Sequence, residues 1–240
     1  MPFDKYGYPP YDAPLLEAYG ARFDSVYVIL HPFVHMPEEF SWGATHCYPD
    51  DGQIVLHGRR QPWSEVARQT GMGACARLNQ ALLTSIGAID DYLCDYPARD
   101  NLRQFLQSSC VWMPVEGRFE PLLHADFVHA FDAAGHEQLI YVPEFPEKDV
   151  IQPFHIAGLR DRTIPFPSCG SIAAPDQSFL FTVDWDSFFT LFYGPRAFVE
   201  TVVRERNIEG FFATRTTEHA WFNYSFGCAT VTLSPEHWCG

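Results

Sequence analysis

The most regular hydrophobic pattern in the chain predicts a long helix in its first half. Apolar residues recur there at steps of three and four, which places them on one helical face. They are Val66, Met72, Cys75, Leu78, Leu82, Leu83 and Ile86. The pattern begins beside Pro62, where Gln61 or Ser64 can act as the cap, and a break is expected near Gly71 because glycine weakens helices. A shorter amphipathic helix is predicted over residues 99–108.

Other apolar runs predict strands. Ser25–Leu30 is rich in β-branched and aromatic residues and is followed by Pro32, which ends it. Residues 53–57 are a second strand candidate. Between residues 117 and 142 the apolar positions alternate with a period of two, which predicts two or three antiparallel strands joined by a turn at residues 132–135.

The last quarter of the chain combines strand and helix patterns with clear breaks between them. A strand at residues 178–184 is followed by a short helix at 187–193 and a longer helix that begins at Pro195. Further strands are predicted at residues 211–214, 220–224 and 229–233. Strands and helices are grouped rather than strictly alternating, so the predicted fold class is α+β, with an antiparallel or mixed sheet on which a few helices pack.

The predicted domain organisation is one compact α+β domain over residues 1–240, a length that can bury a large core without metals or disulfides. Residues 143–177 hold six prolines and form the longest irregular segment. A connection of that length is unusual inside a compact domain, so an internal boundary in this segment is the alternative.

The composition of the chain narrows the classes of partner and location that fit this protein. The chain carries 30 acidic and 16 basic residues, a net charge of −14, which repels nucleic acids and anionic lipids and favours a basic protein partner. Acidic surfaces also simply confer solubility. Seven irregularly spaced cysteines do not form a disulfide framework, the N-terminus lacks a secretory pattern, and the apolar runs are too short to span a bilayer. A cytoplasmic protein that binds neither nucleic acid nor membrane is therefore expected.

Candidate chemistry gathers near the C-terminal end. Glu218, His219 and Trp221 lie close together after Arg215, and such a set can bind a ligand by charge pairing, proton exchange and ring stacking, or anchor a protein partner. The alternative is a buried tryptophan beside a surface ion pair. The candidate ligand or partner site comprises Arg215, Glu218, His219, Trp221, Asp184 and Asp186. Asp184 and Asp186 can equally be helix caps.

The sequence patterns for cofactor binding, metal binding and nucleophilic catalysis are weaker. No phosphate loop, dinucleotide fingerprint, paired-cysteine site or nucleophile elbow is present, and no cofactor or metal is predicted. His124 and Asp126 would share a face if their segment is a strand, and could hold a metal with a third ligand such as His155 or His219. Cys169 in a turn is a nucleophile only if a histidine lies beside it.

The C-terminal quarter also carries a family resemblance. Its pattern is an acidic and aromatic segment at residues 184–194, a Glu-Gly-Phe-Phe at 209–212 and a Glu-His-x-Trp at 218–221. This pattern resembles the C-terminal part of small bacterial proteins grouped in families of unknown function. The resemblance implies no established activity, although some such families look like immunity proteins of contact-dependent toxin systems, which are acidic, cytoplasmic and non-enzymatic.

Two hypotheses follow. The first is a non-enzymatic, immunity-type protein that binds and inhibits a basic protein partner. The alternative is a small-ligand binder or hydrolase whose site lies around Glu218 and His219.

Overall fold

The computed structural model describes residues 8–11, 13–144 and 151–221. Its strands are β1 (Ser25–Leu30), β2 (Phe33–His35), β3 (Arg59–Gln61), β4 (Val111–Trp112), β5 (Gln138–Val142), β6 (Gln152–His155), β7 (Gly170–Ala173), β8 (Leu180–Val183), β9 (Phe189–Gly194) and β10 (Gly210–Phe212). Its α-helices are α1 (Trp42–Thr45), α2 (Asp51–His57), α3 (Trp63–Gln69), α4 (Cys75–Ile86), α5 (Tyr96–Ser108), α6 (His124–Ala133), α7 (Ile156–Arg160) and α8 (Arg196–Glu205). Short 3-10 helices cover Leu15–Ala21, Glu38–Phe40, Asp91–Leu93 and Pro121–Leu123.

Two antiparallel sheets organise these elements. The large sheet has seven strands in the order β10-β1-β9-β8-β7-β5-β6, and the small sheet has three in the order β3-β2-β4. The predicted α+β class with an antiparallel sheet is therefore confirmed. Among the described residues, no helix has the length and apolar character needed to cross a membrane.

The large sheet is covered on both faces, which explains why its central strands are uninterrupted apolar runs. In β1 and β9 every residue is buried. Val26 and Val28 of β1 join the core cluster that contains Leu78 and Leu82 of α4. Residues Tyr27 and Ile29 of the same strand join the opposite cluster with α6 and α8, as successive side chains of a strand must.

The predicted long helix is present as two helices, α3 and α4, with the expected break between them. Gly71 and Gly73 both adopt positive φ in that break, at 68° and 74°. Neither Gln61 nor Ser64 caps α3. The predicted helix at residues 99–108 is confirmed as α5, which begins earlier because the Asp95 side chain accepts a hydrogen bond from the Ala98 N–H.

Three predicted elements are wrong. Residues 53–57 belong to helix α2, because Asp50 and Gln53 form a reciprocal capping box that the strand interpretation overlooked. Residues 124–133 are helix α6 rather than a strand, so only β5 remains of the predicted hairpin. Residues 189–194 are strand β9 rather than a helix. The prediction failed because a strand that is buried on both faces of a sheet is apolar at nearly every position and shows no period of two. Asp184 and Asp186 are accordingly not helix caps.

The remaining C-terminal predictions hold where the structure describes them. The predicted strand at 178–184 is β8, the helix after Pro195 is α8, and the strand at 211–214 is β10. The predicted strand at 229–233 and most of that at 220–224 lie outside the described residues. The prediction that residues 143–177 are irregular is wrong in the part that the structure describes, because this segment contains β6, α7 and β7, and both strands pair with β5.

Candidate functional site

The turn between β8 and β9 presents Trp185 to solvent. This side chain is 59% exposed, although it is flanked by buried strand residues on both sides. Ser187 closes the turn, because its N–H and Oγ–H both donate to the carbonyl oxygen of Asp184, at 3.1 and 2.9 Å. Asp184 and Asp186 are thereby held on either side of the exposed indole.

A glycine allows a second loop to lie against this turn. Gly117 has a φ of +67°, and a Cβ at this position would lie 2.1 Å from the carbonyl oxygen of Trp185. The Gly117 N–H donates to the carbonyl oxygen of Ser187 at 2.9 Å. Only glycine tolerates both the positive φ and the close backbone approach. The contact brings Glu116 near Asp186.

Four carboxylates thus form what we call the acidic face: Glu116, Glu144, Asp184 and Asp186. Burial raises the pKa of each of them above its ordinary value. The negative charge of Asp186 raises the pKa of Glu116 further, and Asp184 and Asp186 together do the same for Glu144. Within the described part of the chain, no lysine or arginine forms an ion pair with any of the four. The face is a concentration of uncompensated negative charge.

His219 lies behind the acidic face among Tyr8, Tyr11 and Asp184, and these four residues form what we call the His219 network. Its Nδ1 is 2.7 Å from the hydroxyl oxygen of Tyr8, and its Nε2 is 3.8 Å from Oδ2 of Asp184, too far for a hydrogen bond. The Tyr11 hydroxyl donates to the same Asp184 oxygen. The rings of Tyr11 and His219 meet edge to face, with centroids 4.2 Å apart.

Burial sets the protonation of this network. It lowers the pKa of His219 to about 4, so the imidazole is neutral at physiological pH. It also raises the pKa of Tyr8, which keeps the phenol protonated. A neutral histidine held between a tyrosine and a buried aspartate joins the N-terminal segment to the turn after β8.

The sequence-predicted site residues are only partly brought together. Asp184, Asp186 and His219 are neighbours, whereas Arg215 is exposed in the turn at residues 214–217 and makes no ion pair with any residue that the structure describes. Glu218 is half-buried.

Trp221 lies in the core rather than at the surface. Its ring packs against Phe211 and Phe189, with centroid distances of 5.1 and 6.0 Å. The tryptophan that is available for binding is therefore Trp185.

Sequence reasoning missed four members of this region: Tyr8, Tyr11, Glu116 and Glu144. The tyrosines belong to the N-terminal segment, for which the sequence analysis predicted no element. The two glutamates lie in loops whose sequence shows no motif, and only the backbone contact at Gly117 places one of them beside Asp186.

The metal and nucleophile alternatives gain no support. Within residues 8–11, 13–144 and 151–221, no group of three or more His, Cys, Asp or Glu side chains is arranged to hold a metal ion. His124 and Asp126 lie on α6, where residues two apart do not share a face. Asp126 is buried between Arg60 and Arg206, while His124 stacks on Phe166. The thiol of Cys169 has Tyr141 and Ser168 as neighbours.

Comparisons with known proteins identify a relative and a family. The uncharacterized protein YwbB of Bacillus subtilis (strain 168) is 24% identical to this chain over 221 residues, which are 88% of this chain and 96% of that protein. No solved structure matches this chain at a significant level. A family model described as "Protein of unknown function (DUF2711)" matches residues 11–223, a range that includes the whole acidic face and His219. The chain therefore belongs to the DUF2711 family of proteins of unknown function.

Proposed function

We propose that this protein is a non-enzymatic binding protein for a basic protein partner, which docks on the acidic face around Trp185. The observation that carries the proposal is the exposed indole of Trp185 beside Glu116, Glu144 and Asp186, three accessible carboxylates of the acidic face that have no cationic partner in the described residues. Tryptophan is one of the residues that most often dominate interface energetics. A lysine or arginine from a partner would relieve the mutual repulsion of the carboxylates.

The overall charge supports the same partner class. A net charge of −14 steers basic proteins toward the surface and speeds their association at low salt. Inhibition of a basic toxin or nuclease, as by an immunity protein, is the specific form of this proposal. It implies a cytoplasmic location and no direct binding to nucleic acid, since the acidic face would repel a phosphate backbone.

The alternative function, ligand binding or hydrolysis at Glu218 and His219, receives less support from the geometry. Nδ1 of His219 is engaged by Tyr8, and Asp184 is engaged by Tyr11. Trp221 is buried in the core, so the residues near His219 have a structural role, which is to hold the N-terminal segment against the turn after β8. A hydrolase would need the imidazole free to exchange a proton with a substrate.

The experiment is affinity capture by the immobilised full chain at low salt, compared between two charge-matched double variants. Glu116→Gln/Glu144→Gln removes two charges from the acidic face, and Glu38→Gln/Glu39→Gln removes two exposed charges elsewhere. We expect a basic protein to bind the wild type and the Glu38→Gln/Glu39→Gln control, and to dissociate from both as salt rises. Its binding to the Glu116→Gln/Glu144→Gln variant should be at least about tenfold weaker. Equal retention by both variants, or capture of no basic protein, would refute the proposal.

A Trp185→Ala variant tests the anchor separately. Loss of the exposed indole should weaken the captured complex by about 1–3 kcal/mol, mainly through faster dissociation. Surface plasmon resonance with the captured partner measures both rates. An unchanged dissociation rate would remove Trp185 from the interface while leaving the electrostatic contribution intact.

A further inference from the structure

A cleft beside α6 has the composition of a small-molecule site. Its volume is about 750 Å³, which is within the range typical of ligand pockets. One wall is α6, the other is the segment at residues 159–166, and Asp51 of α2 lies at its edge. We call it the α6–α7 cleft.

The charge of the cleft contrasts with that of the protein. Three arginines and two aspartates line it, in a chain whose net charge is −14. Arg160 is paired with Asp132, and Arg206 is paired with Asp126. The side chain of Arg162 forms no ion pair or hydrogen bond with any residue in the described part of the chain. One guanidinium therefore faces the cleft with its charge uncompensated.

The backbone at Arg162 is also unusual. Its φ is +55°, a left-handed conformation that arginine seldom adopts. The conformation follows the end of α7, where the Arg162 N–H donates to the carbonyl oxygen of Leu159 at 3.3 Å. This turn fixes the position from which the guanidinium extends.

His124 supplies a hydrogen-bond acceptor in the same cleft. Its Nε2 lies 3.0 Å from the carbonyl oxygen of Phe119, so this nitrogen must carry the proton and donate it. Burial lowers the pKa of His124 to about 4, with the nearby charge of Arg162 acting in the same direction. At neutral pH the ring is therefore uncharged, and Nδ1 is left as an acceptor.

The ring of His124 is held rigidly in this orientation. It stacks on Phe166 with a centroid distance of 4.1 Å and an interplanar angle of 13°. Phe166, Val128 and Leu159 give the cleft its apolar surface. An unpaired cation, a fixed acceptor and an apolar wall are the three features that orient a small amphipathic anion.

We propose that the α6–α7 cleft binds a small organic anion, a carboxylate or phosphate monoester that also carries a hydroxyl or amino group. The guanidinium of Arg162 holds the anionic oxygens, and Nδ1 of His124 accepts the hydrogen bond of the hydroxyl or amino group. Phe166 and its neighbours cover the carbon skeleton. The site is independent of the acidic face, and neither binding event requires the other.

The test uses nuclear magnetic resonance of the imidazole nitrogens in the ¹⁵N-labelled full chain. Inorganic phosphate and acetate are the two probes, each titrated at constant ionic strength, and His124→Gln assigns the His124 signals. We expect a saturable shift of the His124 signals with at least one probe, and the probe that binds more tightly identifies the anion as phosphate or carboxylate.

Two variants test whether Arg162 is responsible for anion binding in the cleft. Arg162→Asn removes the charge and retains a residue that accepts positive φ, so the fold is preserved. It should weaken binding by about tenfold or more, because a charge-assisted contact is lost. The control is Arg103→Asn, which removes an exposed arginine of α5 that likewise has no ion pair among the described residues. Shifts that do not saturate with either probe, or that are equal in the two variants, would overturn the proposal.

Discussion

The carboxylate of Glu209 accepts a hydrogen bond from the backbone N–H of Trp63, 146 residues earlier in the chain, at 2.6 Å. Its other oxygen accepts from the Ser64 N–H at 2.9 Å. The first turn of α3 therefore obtains its cap from the residue just before β10, and not from a neighbour in sequence. A helix start leaves several N–H groups without partners, and a carboxylate there also interacts favourably with the helix dipole.

Glu209→Ala should lower the free energy of unfolding by about 1–2 kcal/mol, because two N–H groups in the first turn of α3, that of Trp63 partly buried, lose their acceptor. Urea unfolding followed by circular dichroism measures the change. Glu200→Ala is the control, since its pair with Arg196 is exposed on α8 and should contribute about 0–0.5 kcal/mol. Equal losses in both variants would show that the Glu209 cap does not stabilise α3.

The His219 network makes stability depend on pH in a defined direction. The pKa of His219 is lowered to about 4 in the folded protein, from 6.5 in the unfolded chain. The unfolded state therefore binds more protons, and this contribution to stability is complete above pH 6.5 and is lost as pH falls toward 4. Its size is on the order of 3 kcal/mol.

His219→Asn should flatten the decline in stability between pH 6.5 and pH 4, measured as unfolding free energy at several pH values. The exposed His35 provides the control, and His35→Asn should leave the wild-type slope intact. If His219→Asn keeps the wild-type slope, the imidazole is not held neutral by burial.

Glu120 should make stability depend on pH in the direction opposite to that of His219. It is fully buried, and burial raises its pKa from 4.5 to about 7. The folded state therefore holds the proton more tightly, so the contribution of Glu120 to stability is complete below pH 4.5 and is lost as pH rises through 7. Oε2 of this carboxyl group has no hydrogen-bond partner, which makes its ionised form costly.

Glu120→Gln mimics the protonated carboxyl group at every pH. It should change stability little at pH 5 and increase it at pH 8 and above, by an amount on the order of 1–3 kcal/mol. Thermal unfolding at the two pH values measures the difference. Destabilisation of similar size at both pH values would contradict a raised pKa and would instead indicate a specific need for the carboxylate.

Domain organisation is a further testable point. We propose that residues 1–240 unfold as one domain, without a boundary in residues 143–177. β7 pairs with β5 on one side and with β8 on the other, so strands from both sides of this segment form one sheet. Calorimetry should give one transition whose van't Hoff and calorimetric enthalpies agree. Two separable transitions would place a boundary inside the chain.

Local sequence patterns correctly predicted the elements that are determined by their own residues and not by residues remote in sequence. Helical spacing identified α3 and α4, and the glycines in residues 70–74 marked the break between them. Apolar composition with a following proline identified β1. These predictions succeeded because periodicity, glycine and proline act on the backbone directly.

The error at β9 has a physical cause, which is the dependence of a strand on its neighbours. In β9, Phe192 faces one core cluster while Phe189 and Leu191 face the other, so its sequence is apolar at nearly every position and resembles a buried helix. Only pairing with β1 and β8 makes it a strand. Conversely, buried residues of α6 recur four apart, as Phe127 and Phe131 do, so the period of two assigned to this segment was wrong.

The sequence by itself determined the α+β class, the acidic charge and the resemblance to a family of unknown function. It also singled out Asp184, Asp186 and His219, because aromatic and ionisable residues cluster in that segment. The tertiary structure alone decided that Trp185 is exposed and Trp221 buried, and that Glu116 lies beside Asp186. It also created the α6–α7 cleft from four separate segments. Composition and periodicity act along the chain, whereas a binding surface depends on distances between residues that are remote in sequence.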